Sequence, residues 1–91
     1  MKRLTAIASG RVQGVGYRAS VIRGVSMIAG VTGYVKNLPD GRLEIIAEGT
    51  ETSLAEVIEV AKAGSGWSDV SDLDVNYSDA KGVFLDFTVS Y

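Results

Sequence analysis

Two periodicities run through the chain, one of two residues and one close to 3.6, and their alternation predicts the elements. Residues 3–9 are a short apolar run broken by Gly10 and read as a strand. Residues 19–29 carry Val21, Ile22, Val25, Ile28 and Ala29 at helical spacing and predict a first helix, with Gly30 as its C-cap. Gly24 weakens that helix by about 1 kcal/mol relative to alanine. Residues 31–37 alternate again, with Val31, Gly33, Val35 and Asn37 on one face. Leu38-Pro39-Asp40-Gly41 is a tight turn, in which proline presets φ and glycine supplies the permissive conformation. Residues 42–48 return as a hairpin strand, with Leu43, Ile45 and Ala47 inward and Arg42, Glu44 and Glu48 facing solvent. A second helix starts within residues 49–53, capped by Thr50 or by Ser53 in a capping box with Glu56, and buries Leu54, Val57, Ile58 and Ala61. Residues 63–68 form a loop in which Trp67 covers the edge of the core. Residues 70–77 form a strand with Leu73, Val75 and Tyr77 on one face and Asp72, Asp74 and Asn76 on the other. Residues 78–82 turn the chain, and residues 83–91 predict a last strand with Val83, Leu85, Phe87, Val89 and Tyr91 inward.

The order β-α-β-β-α-β plus a terminal strand predicts a single α+β domain, residues 1–91, of the ferredoxin-like type: a mostly antiparallel sheet with two helices on one face and an added C-terminal strand. In that topology the strands at 3–9 and 31–37 run the same way with the hairpin strand between them. Their C-terminal ends share one edge of the sheet, separated by two strand spacings, or ~10 Å. Arg18 and Asn37 can therefore reach a common pocket.

The first of those strands runs into a turn crowded with Gly10, Gly14 and Gly16, and a helix follows. Such a turn leaves backbone N–H groups free, lets an anion approach without meeting a β-carbon, and adds the positive end of the helix dipole. Arg18 stands at the helix start, where its charge opposes that dipole, and so breaks a local rule for no structural gain. The turn lacks the Gly-Lys-Ser/Thr ending of a P-loop, and a parallel dinucleotide-binding sheet does not fit this length. Glycine spacing by itself leaves a structural turn and a phosphate site both open.

Composition narrows the chemistry. The chain contains no cysteine and no histidine, so it has no thiolate nucleophile, no cysteine metal site and no imidazole base. Arg, Asn, Asp, Glu, Tyr, Ser, Lys and backbone amides remain. Asp69, Asp72 and Asp74 do not follow a calcium-loop pattern. The net charge of −2 is unevenly spread: residues 1–39 hold six basic side chains and no acidic one, whereas residues 40–91 hold three basic against eleven acidic. The positive half contains the glycine turn, where a local field favours anions. The N-terminal run is too short and interrupted for a signal peptide and no membrane span is evident, so a cytoplasmic protein is expected.

Gly10-Arg11-Val12-Gln13-Gly14-Val15-Gly16-Tyr17-Arg18 resembles the first signature of the acylphosphatases, and Gly33-Tyr34-Val35-Lys36-Asn37-Leu38-Pro39-Asp40-Gly41, followed by Gly49, resembles the second. The element order is similar to that family along essentially the whole chain. The resemblance implies hydrolysis of the carboxyl–phosphate bond of small acyl phosphates to a carboxylate and inorganic phosphate, without metal or cofactor. It implies that Arg18 binds the phosphate, that backbone N–H groups of Gln13, Gly14, Val15, Gly16, Tyr17 and Arg18 cradle it, and that Asn37 positions the attacking water. A substrate oxygen would take the water's proton. A monomer with no nucleic-acid or membrane partner is expected. An RNA-binding module would need aromatic residues on the exposed faces of the first and third strands, and residues 4–8 and 42–48 contain none. Intact Arg18 and Asn37 count against a catalytically silent domain. The segment from Arg18 to Gly33 is one residue longer than the family pattern and carries Gly24-Val25-Ser26, which predicts an irregular or bulged first helix.

Overall fold

The computed structural model describes residues 1–90. The elements are β1 (Lys2–Arg11), α1 (Tyr17–Ser26), β2 (Thr32–Asn37), β3 (Leu43–Gly49), α2 (Glu51–Ala63), β4 (Asp69–Asp79) and β5 (Phe87–Ser90). They build one five-stranded sheet in the order β4-β1-β3-β2-β5. β3 lies antiparallel between β1 and β2, so those two strands run in the same direction, as the topology requires. β5 pairs with β2 in parallel, which makes the sheet mixed. This is the ferredoxin-like α+β fold with an added strand.

Alternation decides which side chains meet the helices. Leu4, Ala6 and Ala8 of β1, Leu43, Ile45 and Ala47 of β3 and Val35 of β2 are fully covered by Val21 and Val25 of α1 and by Leu54, Val57 and Ala61 of α2. Burying each valine, leucine or isoleucine of this set contributes about 1.5–3 kcal/mol. Thr50 is the cap of α2: its side chain accepts the Ser53 amide at 3.1 Å. Ser53 lies inside the first turn and its hydroxyl donates instead to the Ala29 carbonyl at 3.3 Å.

Several expectations are corrected by the structure. α1 is a regular ten-residue helix, neither bulged nor extended to Ala29. The Met27 and Ile28 amides donate to the Gly24 and Val25 carbonyls, which tightens the last turn and ends the helix before Gly30. The weak helix former Gly24 has a packing reason: a β-carbon there would sit 2.5 Å from Val60 Cγ1 on α2. Glu48, expected in solvent, is 3% exposed. Residues 80–86 cross its face of the sheet as a strap, and its carboxylate accepts from the Lys81 and Gly82 amides at 2.9 and 3.0 Å and from Arg3 Nε at 2.7 Å. Phe84 of that strap stacks on the Arg3 guanidinium at 5.2 Å and meets the Tyr34 ring edge-on at 5.8 Å. The last strand accordingly starts at Phe87, and Val83 and Leu85 are exposed. Tyr91, placed inward from the sequence, lies outside the described residues. Trp67 does not cover the core; it is 81% exposed. Tyr77, on the edge strand β4, is half-exposed.

Candidate active site

Residues 12–16 join the end of β1 to the start of α1. Gly14 has φ +72° and Gly16 φ +76°, with open space where their β-carbons would stand. It is the left-handed backbone, not crowding, that demands glycine here. Left-handed residues interleaved with others curl a loop into a concave nest of N–H groups. Gly16 is also the N-cap of α1, with no capping side chain, and the first turn of the helix carries no acidic residue. Nothing negative on α1 itself therefore competes with an anion for its N-terminus.

The loop is fastened on three sides. Gln13 Nε2 donates to the Leu38 and Arg42 carbonyls, both at 2.9 Å, and so ties the loop to the hairpin turn that follows Asn37. Ser65 Oγ donates to the Val15 carbonyl at 2.8 Å, and Ser20 Oγ to the Gly64 carbonyl at 2.9 Å. The Tyr17 hydroxyl donates to the Ala61 carbonyl of α2 at 2.7 Å. Burial pushes the Tyr17 pKa up to about 12, so the phenol stays protonated and acts as a strut between the helices.

A pocket of about 250 Å³ opens between this loop, α1 and the end of β2. Of the residues singled out from the sequence, Gly14, Gly16, Tyr17, Arg18 and Asn37 line it together. Gln13 and Val15 do not: Gln13 turns its amide to the hairpin, and Val15 packs on the core. Asn37 Oδ1 is buried and has no hydrogen-bond partner among the described residues. Leaving such an oxygen unsatisfied costs about 1–3 kcal/mol, and a donor brought into the pocket recovers it. A larger groove of about 440 Å³, lined by Lys2, Glu51 and Tyr77, lies at the opposite end of the sheet, away from the glycine loop. Among the described residues no group of three or more His, Cys, Asp or Glu could hold a metal ion. Main-chain donors, a guanidinium and an amide oxygen suit a tetrahedral oxyanion with a water beside it.

The family model for acylphosphatase matches residues 4–89. The chain belongs to the acylphosphatase family. It is 44% identical over 89 residues to the acylphosphatase of Methylococcus capsulatus, covering 98% of this chain and 96% of that protein. The crystal structure of acylphosphatase from Bacillus subtilis superposes with a TM-score of 0.94 at 40% identity, covering 100% of both chains. An acylphosphatase from Coxiella burnetii follows at a TM-score of 0.87 and 31% identity, over 97% of this chain and 90% of that one. The protein is accordingly an enzyme that hydrolyses acyl phosphates. Among the described residues no helix is long and apolar enough to cross a membrane.

Sequence reasoning missed part of this acylphosphatase pocket. Val12, Ala19 and Val89 complete the lining. Val12 and Ala19 are in or next to the first motif and could have been included. Val89 carries no such signal, because it arrives through the parallel pairing of β5 on β2, which apolar alternation in residues 83–91 does not specify. The fastening roles of the Gln13 side chain, Ser20 and Ser65 were also invisible, since each bonds a main-chain group more than 20 positions away.

Proposed function

We propose that the phosphoryl group of an acyl phosphate sits in the concavity of residues 13–18, held by main-chain N–H groups and the Arg18 guanidinium, and that Asn37 presents the attacking water. The observation that carries this reading is the buried, unpartnered Asn37 Oδ1 in the same pocket as Gly14, Gly16 and Arg18. An amide oxygen accepts a hydrogen bond from water without taking its proton, so Asn37 orients the nucleophile and does not serve as its base. The water oxygen forms a bond to phosphorus as the phosphorus–oxygen bond to the acyl group breaks. The carboxylate leaves with the bonding pair. One water proton passes to a phosphoryl oxygen, so acyl phosphate and water become carboxylate and dihydrogen phosphate with charge conserved. Carboxylate is a good leaving group, so positioning and neutralisation of the equatorial oxygens suffice. The guanidinium fork matches two of those oxygens. The strap over Arg3 and Tyr34 supports the same reading, because it roofs part of the sheet face that an RNA-reading domain would leave open.

Asn37→Ala tests the assignment. Hydrolysis of benzoyl phosphate in the presence of a chelator should lose about 100-fold or more in kcat. Competitive inhibition by inorganic phosphate should persist, because the cradle and Arg18 are untouched. Turnover at the wild-type rate would remove Asn37 from the mechanism.

A further inference from the structure

An acyl phosphate has two ends, and the pocket accounts for one of them. Its glycine backbone, guanidinium and amide suit the phosphoryl group, which leaves the acyl group at the rim. That rim is the end of the sheet where β1 and β2 finish, and the chain presents residues 12–16, 38–42 and 64–68 there. Among the described residues the exposed large apolar side chains are Met1, Met27, Trp67, Tyr77, Val83 and Leu85. All but Trp67 lie toward the other end. Met1 precedes β1, Met27 follows α1, and Tyr77 is the register partner of Leu4 near the start of β1. Val83 and Leu85 belong to the strap between the end of β4 and the start of β5.

The turn that carries Trp67 is fixed to the glycine loop. Ser65 Oγ donates to the Val15 carbonyl at 2.8 Å, between the two left-handed glycines that line the pocket. Ser68 closes the turn on both sides: its Oγ accepts the Ser65 amide at 2.8 Å and donates to the Ser65 carbonyl at 3.0 Å, and its amide donates to the same carbonyl at 3.2 Å. Gly66 and Trp67 are the two residues held at its tip. An indole on a turn ordered in advance loses little further freedom when a flat group stacks on it.

We propose that Trp67 is a specificity-determining residue whose indole receives the aryl or bulky apolar acyl group of a substrate seated by its phosphoryl end in the Gly14–Arg18 cradle. The proposal rests on that phosphoryl seat. It places aryl acyl phosphates above acetyl phosphate as substrates, through ground-state binding more than through the chemical step.

The test compares kcat/KM for benzoyl phosphate and acetyl phosphate in the wild type, Trp67→Ala, Trp67→Phe and Arg18→Ala. Trp67→Ala should lower the benzoyl-to-acetyl ratio about fivefold, mainly through KM for benzoyl phosphate, and Trp67→Phe should restore most of it. A ratio unchanged in Trp67→Ala overturns the proposal, as does an equal loss on both substrates. Trp67 is the only tryptophan, so its emission reads the contact directly. Phenylphosphonate, which carries a ring on phosphorus, should quench or shift it, whereas inorganic phosphate should not. Equal responses to the two anions, or none, overturn the assignment. Retention of both activities in Arg18→Ala would instead remove the phosphoryl seat, and the proposal with it, whatever the ratio does.

Discussion

At the scale of single residues, the two buried acceptors Asn37 Oδ1 and the Glu48 carboxylate have opposite circumstances. Asn37 is left unsatisfied beside the glycine loop, where the proposed mechanism needs an acceptor for its water. Glu48 is fully satisfied: the Lys81 amide is the largest influence holding its carboxyl below the usual range, joined by Arg3 and the Gly82 amide and opposed by burial. A carboxyl depressed in the folded state contributes stability above its unfolded pKa and loses it as pH falls through the lower folded value. Glu48 therefore supports the fold at neutral pH and stops doing so in strong acid. Glu48→Gln should destabilise the protein at pH 7 by about 1–3 kcal/mol and flatten its loss of stability on acidification, as urea unfolding at a series of pH values would show. An unaltered acid limb in the variant would mean that other carboxylates carry it. The burial of Glu48 was not legible beforehand. Alternation correctly sent it to the face away from the helices, but only the path of residues 80–86 turns that face into an interior.

At the scale of elements, the crossing of α1 and α2 trades helix propensity for proximity. Alanine at position 24 would gain about 1 kcal/mol of helix propensity. It would also drive a β-carbon into Val60, a short branched side chain with little room to yield, and overpacking of this kind costs about 1–3 kcal/mol. Gly24→Ala should therefore leave stability unchanged or lower it, while Val60→Ala in the same chain should make the alanine at position 24 favourable. Thermal unfolding of the two single variants and the double variant decides it; simple additivity would show that the helices do not meet at this point. The existence, type and order of the elements were legible because each has a clear period. The end of α1 was not, since Gly30 satisfies the sequence criteria for a cap and the tightened turn at Met27 and Ile28 leaves no mark in residue type. That the glycine loop and Asn37 share one pocket was legible because the topology places the ends of β1 and β2 on one edge. Gln13 illustrates the remainder: its motif position was evident, but its side chain serves the hairpin and not the pocket.

At the scale of the whole molecule, charge and topology point the same way. The basic residues before Asp40 bring Arg11, Arg18 and Lys36 to the half that builds the glycine loop, while the acidic residues gather later, many on α2 and β4. The molecule can thus be acidic overall and still present a positive mouth to a small dianion. If phosphate sits in the proposed cradle, added salt should weaken its inhibition only moderately, because partly buried main-chain donors are screened less than surface charges. A steep salt dependence would assign the attraction to the surface field instead.

The parallel seat of β5 on β2 has a consequence for biosynthesis. Val89 walls a pocket whose other parts are complete by residue 37. A nascent chain halted before Phe87 would already contain both signatures and most of the sheet, yet its cleft would lie open along one flank. A closed cleft would then wait on the docking of β5, however much of the sheet had already formed.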